Sequence, residues 1–332
     1  MNLFELTKTL VNIPSVTGSE GEIADFLIDY LRARAFKVRT QKIEGERRNI
    51  FAAPGEEPQI ILCTHLDTVL GHFGAVEDAA YIYGRGACDA KGIMASMIFA
   101  AGELADEGLR NSGLLFVVGE ETDSLGAKKA DELKPRSAFI IVGEPTENKL
   151  GSGHKGLLNL KLSAKGRRAH SAFPHLGESA TEKLLDVLHD IRRLDLGEDS
   201  VLGPNTLNIG KIEGGVAANV IPGSAEAVVS VRAATPTDII LKKILTAARQ
   251  QVEIEVMTRS EAQILFTVPG FKKAVMPFAT DIPYLKSFGK ALLVGPGSIL
   301  DAHTDDEKVE KKQLEEAVQI YKKLVRKLLK EN

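Results

Sequence analysis

The hydrophobic positions change period along the chain. Residues 3–12 carry apolar side chains at helical spacing, and Ser19-Glu20-Gly21-Glu22 reads as a capping box opening an amphipathic helix to about residue 35. Strand-like runs follow at 36–43 and 49–53. Three β-rich apolar runs, 59–64, 113–118 and 137–142, show no alternation, and an apolar helical stretch at 90–107 separates the first two. A half-exposed strand would alternate, so continuous apolar strands between helices predict a central sheet covered on both faces.

From residue 156 the pattern becomes two-sided. Residues 157–164 alternate, 180–194 have helical spacing, and 206–211 and 225–231 alternate again. Pro236 sits in the first turn of a helix predicted to about 251, and 252–257 alternates once more. That order, β-α-β-β-α-β, is the split arrangement of a ferredoxin-like sandwich. The expected organisation is α/β, with a discontinuous domain, 1–155 and 266–332, and an inserted domain, 156–265. Residues 267–297 are rich in Gly and Pro, and a charged helix is expected at 308–329, its Glu and Lys run a solvated face.

Composition narrows the function classes. A chain of 332 residues with 44% hydrophobic content can bury two separate cores. A formal charge of −3 with no long block of one sign argues against nucleic-acid and membrane surfaces. The apolar runs are short, and the opening residues read as helix without a signal-peptide cleavage pattern, so a cytoplasmic address is expected. Cys63 and Cys88 have neither metal-finger nor CxxC spacing and are expected as free thiols.

Each of the three apolar strands ends in residues able to bind a metal: His65 with Asp67, Glu120 with Glu121, and Glu144. Open α/β sheets collect ligands at the carboxyl ends of their strands. A strand-end histidine or a Glu-Glu pair alone would be structural more often than not; their convergence, joined by Asp89, is informative. Zinc accepts imidazole and carboxylate ligands. Two ions about 3.5–4 Å apart need a bridging carboxylate, for which Asp89 is the natural choice. One of Glu120 and Glu121 would face a metal, and the other would take a proton from water.

The motifs Thr64-His65-Leu66-Asp67, Tyr83-Gly84-Arg85-Gly86 through Asp89-Ala90-Lys91-Gly92, Gly119-Glu120-Glu121, Gly143-Glu144-Pro145-Thr146, and Ala302-His303-Thr304 followed by Glu307 span nearly the whole chain. Together they resemble the co-catalytic di-zinc aminoacylase and exopeptidase family that includes acetylornithine deacetylase, succinyl-diaminopimelate desuccinylase and the glutamate carboxypeptidases. Gly295-Pro296-Gly297-Ser298 and Thr280-Asp281 look closest to its acetylornithine or acetyl-lysine deacetylase branch. The resemblance implies a di-zinc exopeptidase-like catalytic domain with a central mixed sheet, and an inserted ferredoxin-like α+β lid or dimerisation domain.

It also implies roles. His65 and Glu144 would bind one zinc, Glu121 and His303 the other, with Asp89 bridging and cobalt a possible substitute. Asp67 would orient the His65 ring through a hydrogen bond, and Glu120 would be the general base and acid. In the inserted domain, His170 would stabilise the tetrahedral oxyanion, often from the other subunit of a homodimer, while Asn219 and Arg232 would hold the substrate carboxylate. The expected reaction is hydrolysis of the amide of a small N-acyl amino acid, of N-acetylornithine or N-acetyl-lysine type, in arginine or lysine biosynthesis. A dipeptidase or carboxypeptidase of the same family is the alternative, and a non-catalytic binding relative a further one. A substrate borne on an acidic amino-group carrier protein would need a basic rim, for which Arg167 and Arg168 are the candidates. A nucleotide-binding oxidoreductase is disfavoured, because Gly84-x-Gly86 lacks the third glycine and Asp89 falls where phosphate would lie. Of the other histidines, His175 is expected to pack in a loop, His72 and His154 flank site loops, and His189 is expected in solvent.

Overall fold

Two hairpin-paired strands, β1 (Lys37–Glu44) and β2 (Arg47–Ala53), precede three that are buried along their whole length: β3 (Ile60–His65), β4 (Ser112–Val117) and β5 (Phe139–Val142). With a strand at Lys290–Leu293 they form a six-stranded sheet in the order β1-β2-β4-β3-β5-(290–293). β3 runs parallel to both β4 and β5, and 290–293 runs parallel to β5, whereas β2 is antiparallel to β1 and β4. The sheet is therefore mixed, and its parallel core sends the carboxyl ends of β3, β4 and β5 to one edge.

The computed structural model describes residues 1–331. The chain divides into two compact units, one of Met1–Ser152, Leu265–Ala274 and the chain from Thr280 onward, the other of Gly153–Ile264 with Val275–Ala279. The second unit thus takes a short return segment that lies outside the expected 156–265 insertion; the Lys155 N–H donates to the Met276 carbonyl at 3.0 Å and draws it in. Among the described residues no helix is long and apolar enough to cross a membrane.

In the first unit, α1 (Leu3–Asn12) opens with a capping box: the Asn2 side chain accepts from Glu5 N and the Glu5 carboxylate accepts from Asn2 N, both at 2.9 Å. The box expected at Ser19 is absent. Helix α2 (Gly21–Ala33) is preceded by Glu20 with no side-chain cap. The Glu20 carboxylate is instead buried, accepting from Gly18 N at 3.0 Å and taking both Arg47 Nε and Nη2 at 2.9 Å. A bidentate arginine outcompetes an ordinary cap. Helix α3 (Gly92–Asp106) is apolar on almost every side and buried, as its place against the sheet and the terminal helix Lys311–Leu328 requires. From that terminal helix, Tyr321 is wholly buried and donates its hydroxyl to the Val294 carbonyl at 2.9 Å.

The second unit holds β6 (Gly156–Lys165), α4 (Ala180–Arg192), β7 (Thr206–Gly214), β8 (Ser224–Ala233), α5 (Thr237–Ala248) and β9 (Glu253–Ser260). The sheet order is β7-β8-β6-β9 and every pairing is antiparallel, the ferredoxin-like topology. Alternation puts Leu158, Leu160, Leu162, Val229 and Val231 under Leu184 and Ile240 of the helices. Pro236 precedes α5 instead of lying within it, and α5 stops at Ala248 because Arg249 and Gln250 turn left-handed, with φ of 47° and 60°.

Candidate metal centre

β3 ends on His65, whose ring is buried at 1% exposure. Its Nδ1 lies 2.9 Å from the Asp67 carbonyl oxygen. A carbonyl can only accept, so Nδ1 carries the proton and Nε2 presents its lone pair to Asp89 Oδ1 at 2.9 Å. Nearby, the Asp67 carboxylate stands 3.6 Å from Nδ1, beyond hydrogen-bond reach, so the short contact that orients the ring comes from the Asp67 carbonyl. That carboxylate gathers the loop after β4: Oδ1 accepts from Gly119 N at 2.9 Å and Glu120 N at 3.1 Å, and Oδ2 from Glu121 N at 3.1 Å and Thr17 Oγ1 at 2.7 Å. Against the cost of burial, the His65 ring and these hydrogen bonds hold the Asp67 carboxyl below its usual range. The ring is thus set by its neighbour's backbone, and the side chain positions the two glutamates. Gly119 is needed at φ 81°, where a Cβ would also stand 2.9 Å from Arg47 Nη2.

Asp89 follows the turn at Gly86 and faces two histidines at once: Oδ1 lies 2.9 Å from His65 Nε2 and Oδ2 lies 3.3 Å from His303 Nε2. His303, half exposed, also meets the Glu121 carboxylate at 3.0 Å. His65, Asp89 and Glu121 offer three ligand atoms within 4.8 Å of one another. Glu144 enters after β5 and is 4% exposed. The preceding residue must be glycine, because a Cβ on Gly143 would lie 2.4 Å from Ile93 and 2.5 Å from Met97.

The electrostatics are those of a site with too much negative charge. Burial, then the charge of Glu144, pushes the Glu120 carboxyl well above its usual range, and burial, then Asp89, does the same to Glu144. Burial also raises Glu121. Hydrogen bonds to Asp89 and Glu121 push His303 up to about 10. Burial disfavours a charged His65, but the negative Asp67 and Asp89 carboxylates beside it override this and raise that ring well above its usual value. Nε2 facing an acceptor-only oxygen is repulsive unless a proton or a cation lies between them. Imidazole nitrogens and carboxylate oxygens are a donor set that suits a divalent ion such as zinc, and the two oxygens of Asp89 facing different histidines suit a bridge between two.

The structure adds residues to which sequence reasoning gave no role. Asp281 is buried and pushed up to about 6 by that burial, and its charge helps raise the carboxyls of Glu120 and Glu144. Thr17 braces Asp67, and Glu307 lies behind Asp89. Thr280-Asp281 and Glu307 were visible only as parts of motifs; no local pattern marks Thr17. Cys63 and Cys88 are buried free thiols whose pKa values burial raises, and Cys88 Sγ donates to the Ser298 carbonyl at 3.3 Å.

In the second unit, His170 and Asn219 share one end of the sheet. Ser171 N donates to the Asn219 carbonyl at 3.0 Å, and His170 forms a bridge with Val220. Both are exposed, and both flank the register pair Ser224 and Lys165. Arg232, also exposed, pairs with Leu157 at the opposite end of β8. Eight residue steps separate Ser224 from Arg232, roughly 26 Å along a strand. Within this unit the three residues therefore do not meet. His154 is buried and burial pushes it down to about 4, whereas His72, His175 and His189 are exposed.

The profile of "Peptidase family M20/M25/M40" matches residues 61–327. A peptidase M20 domain-containing protein of Schizosaccharomyces pombe is 41% identical over 337 residues, covering 98% of this chain and 84% of that protein. A probable carboxypeptidase of Talaromyces marneffei is 41% identical over 383 residues, covering 97% of this chain and 85% of its own length. Among solved structures, a tripeptidase from Staphylococcus aureus superposes with a TM-score of 0.81 at 21% identity, covering 98% of both chains, a likeness of fold. The relatives bear peptidase names, which carry the family as a whole and favour the expected peptidase alternative over the deacetylase branch. With the profile spanning most of the sequence and two relatives aligned over nearly all of it, the chain belongs to peptidase family M20/M25/M40.

Proposed function

We propose that this chain is a metal-dependent carboxypeptidase acting on small peptides. The chemistry rests on Asp89, whose two oxygens face His65 and His303; the substrate class rests on the likeness to a probable carboxypeptidase over 97% of the chain. His65 and Glu144 would hold one divalent cation, Glu121 and His303 a second, and Asp89 would bridge them, with zinc the natural occupant and cobalt a substitute. Such ions polarise a carbonyl and lower the pKa of water to roughly 7.

The chain's own part begins at Glu120. Its carboxylate takes a proton from the attacking water as oxygen adds to the scissile carbonyl, and delivers it to the amide nitrogen as the C–N bond breaks, leaving a carboxylate and an amine. The carboxylate must sit within reach of both atoms, and Asp67 secures this by fixing the Glu120 N–H at 3.1 Å. One carboxyl serves first as base and then as acid because the proton it takes from water is the one it returns to nitrogen. Arg232 and Asn219 would receive the substrate's terminal carboxylate, and His170 would meet the developing oxyanion. Because His170 and Arg232 lie at opposite ends of one sheet, a site needing both is most simply built from two copies of the chain.

The test is a substrate panel for the purified protein, with zinc and with cobalt: N-blocked dipeptides, free dipeptides, and N-acetylornithine with N-acetyl-lysine. Release of the C-terminal residue from the blocked dipeptides is expected, stopped by a chelator and restored by metal. Turnover of the N-acetyl amino acids without peptide cleavage would overturn the carboxypeptidase reading in favour of the deacetylase one. Glu120→Gln should lower kcat about 10²–10⁴-fold while metal uptake persists.

A further inference from the structure

The loop that presents Asp89 is wrapped around a single oxygen atom. Glu307 Oε1 accepts from Gly86 N at 3.0 Å, Cys88 N at 3.1 Å and Asp89 N at 3.0 Å. Its other oxygen, Oε2, accepts from Arg85 Nη1 at 2.7 Å. Glu307 is 0% exposed and Arg85 2% exposed. Arg85 is itself fixed, donating from Nε to the Gly71 carbonyl at 3.3 Å and lying over the Phe73 ring at 5.4 Å. The Glu307 carbonyl closes the same loop from the outside, accepting from Gly84 N at 2.9 Å.

Three amides within four residues can converge on one point only if the backbone curls about it, and only an acceptor with spare lone pairs and negative charge suits that point. A buried carboxylate meets both needs, and Arg85 neutralises it from the far side. Gly86 permits the curl through its φ of 87°. The Cα of Asp89 is thereby fixed in direction, and with it the carboxylate that faces His65 and His303.

Glu307 also follows His303 by four residues, and the intervening chain leads into Lys308–Glu310, which pairs antiparallel with Tyr81–Tyr83 just before the Asp89 loop. One side chain therefore holds the His303 segment against the Asp89 segment, although the two are more than 200 residues apart in sequence. We infer that Glu307, held by Arg85, is a positioning residue of the metal centre, fixing the place and orientation of the Asp89 carboxylate so that its two oxygens face His65 and His303 as a bridge between two cations requires. This rests on the two-cation reading of the site. Glu307 touches neither substrate nor the reacting atoms.

A purely structural ion pair would show itself in stability alone; a positioning residue must show itself in cation affinity and coordination. The probe is Co²⁺, titrated into metal-free protein and followed by its visible absorption. Glu307→Gln keeps the shape but turns an amide NH₂ toward either Arg85 or the three N–H groups. Its Co²⁺ affinity should fall about 10–100-fold for at least one of two equivalents, with altered band positions. Glu307→Asp, which keeps the charge but draws it back by one methylene, should fall between the two. In the unmutated protein the amides of Gly86, Cys88 and Asp89 should exchange with solvent slowly even without metal, a measurement that does not depend on a variant folding. A folded Glu307→Gln protein that takes up two equivalents with wild-type affinity and spectrum overturns the inference, as does rapid exchange of those three amides. Cation uptake is read separately from turnover, so a carboxypeptidase reading that fails on the substrate panel is told apart from a failure of this one.

Discussion

At the scale of single residues the site depends on which atoms can only accept. The Asp67 carbonyl fixes the proton of His65 on Nδ1 and so turns Nε2 toward Asp89. The Asp67 carboxylate does separate work, holding three consecutive N–H groups of the Glu120 and Glu121 loop. Asp67→Asn leaves the carbonyl in place but replaces one accepting oxygen with an NH₂ group, so Glu121 N and Thr17 Oγ1 compete for fewer acceptors. Activity should fall about 10–100-fold, carried by kcat, while metal uptake at His65 is retained. Steady-state kinetics beside metal analysis checks this, and a variant that loses its metal along with its activity would return Asp67 to the role of ring support. The sequence made the pair of His65 and Asp67 conspicuous. Which Asp67 atom does which work was hidden, because it depends on a loop beginning at Gly119, brought near only by the parallel pairing of β3 with β4.

At the scale of elements, strands ending in a shared edge were legible because full burial removes alternation from β3, β4 and β5. The ferredoxin-like order was legible for the opposite reason, one face of its sheet being left partly open. The start of α2 misled because Ser19 and Glu22 satisfy a local rule while Glu20 is drawn off by Arg47, a partner on another element. The segment Leu150–His154 carries a testable consequence of burial. His154 faces the Lys155 carbonyl at 3.0 Å through Nδ1, and burial lowers its pKa from 6.5 to about 4. An unfolded chain takes up this proton near pH 6.5 and the folded chain only near 4, so the unfolded state binds more protons between those values. The stabilising contribution is whole above pH 6.5 and is lost as pH falls toward 4, by up to about 3 kcal/mol. Denaturant unfolding across this window should show the fall in the wild type and a flatter slope in His154→Gln; equal slopes would refute the assignment.

At the scale of the whole molecule, the second unit raises a question that one chain cannot answer by itself. His170 and Asn219 project from the end of the sheet marked by Lys165, and Arg232 from the end marked by Gly156. A small peptide spans far less than the roughly 26 Å between those ends, so one bound substrate cannot touch both ends of the same sheet. If all three residues serve catalysis, His170 and Asn219 must serve a site other than the one Arg232 of the same chain serves. Mixed assemblies test this directly. Glu120→Gln chains keep His170 but lack the base, and His170→Ala chains keep the base but lack the oxyanion partner; each alone should be nearly inactive. After the two are unfolded together and refolded at equal amounts, half of the dimers are hybrids. Each hybrid holds one site with an intact Glu120 and an intact His170 supplied by the neighbour, so about a quarter of the wild-type activity should return. Sedimentation of the same mixture ties the recovery to a dimer. If the mixed sample stays as inactive as its parents although dimers form, His170 acts within its own chain, and Arg232 of that chain then has no part in the same site.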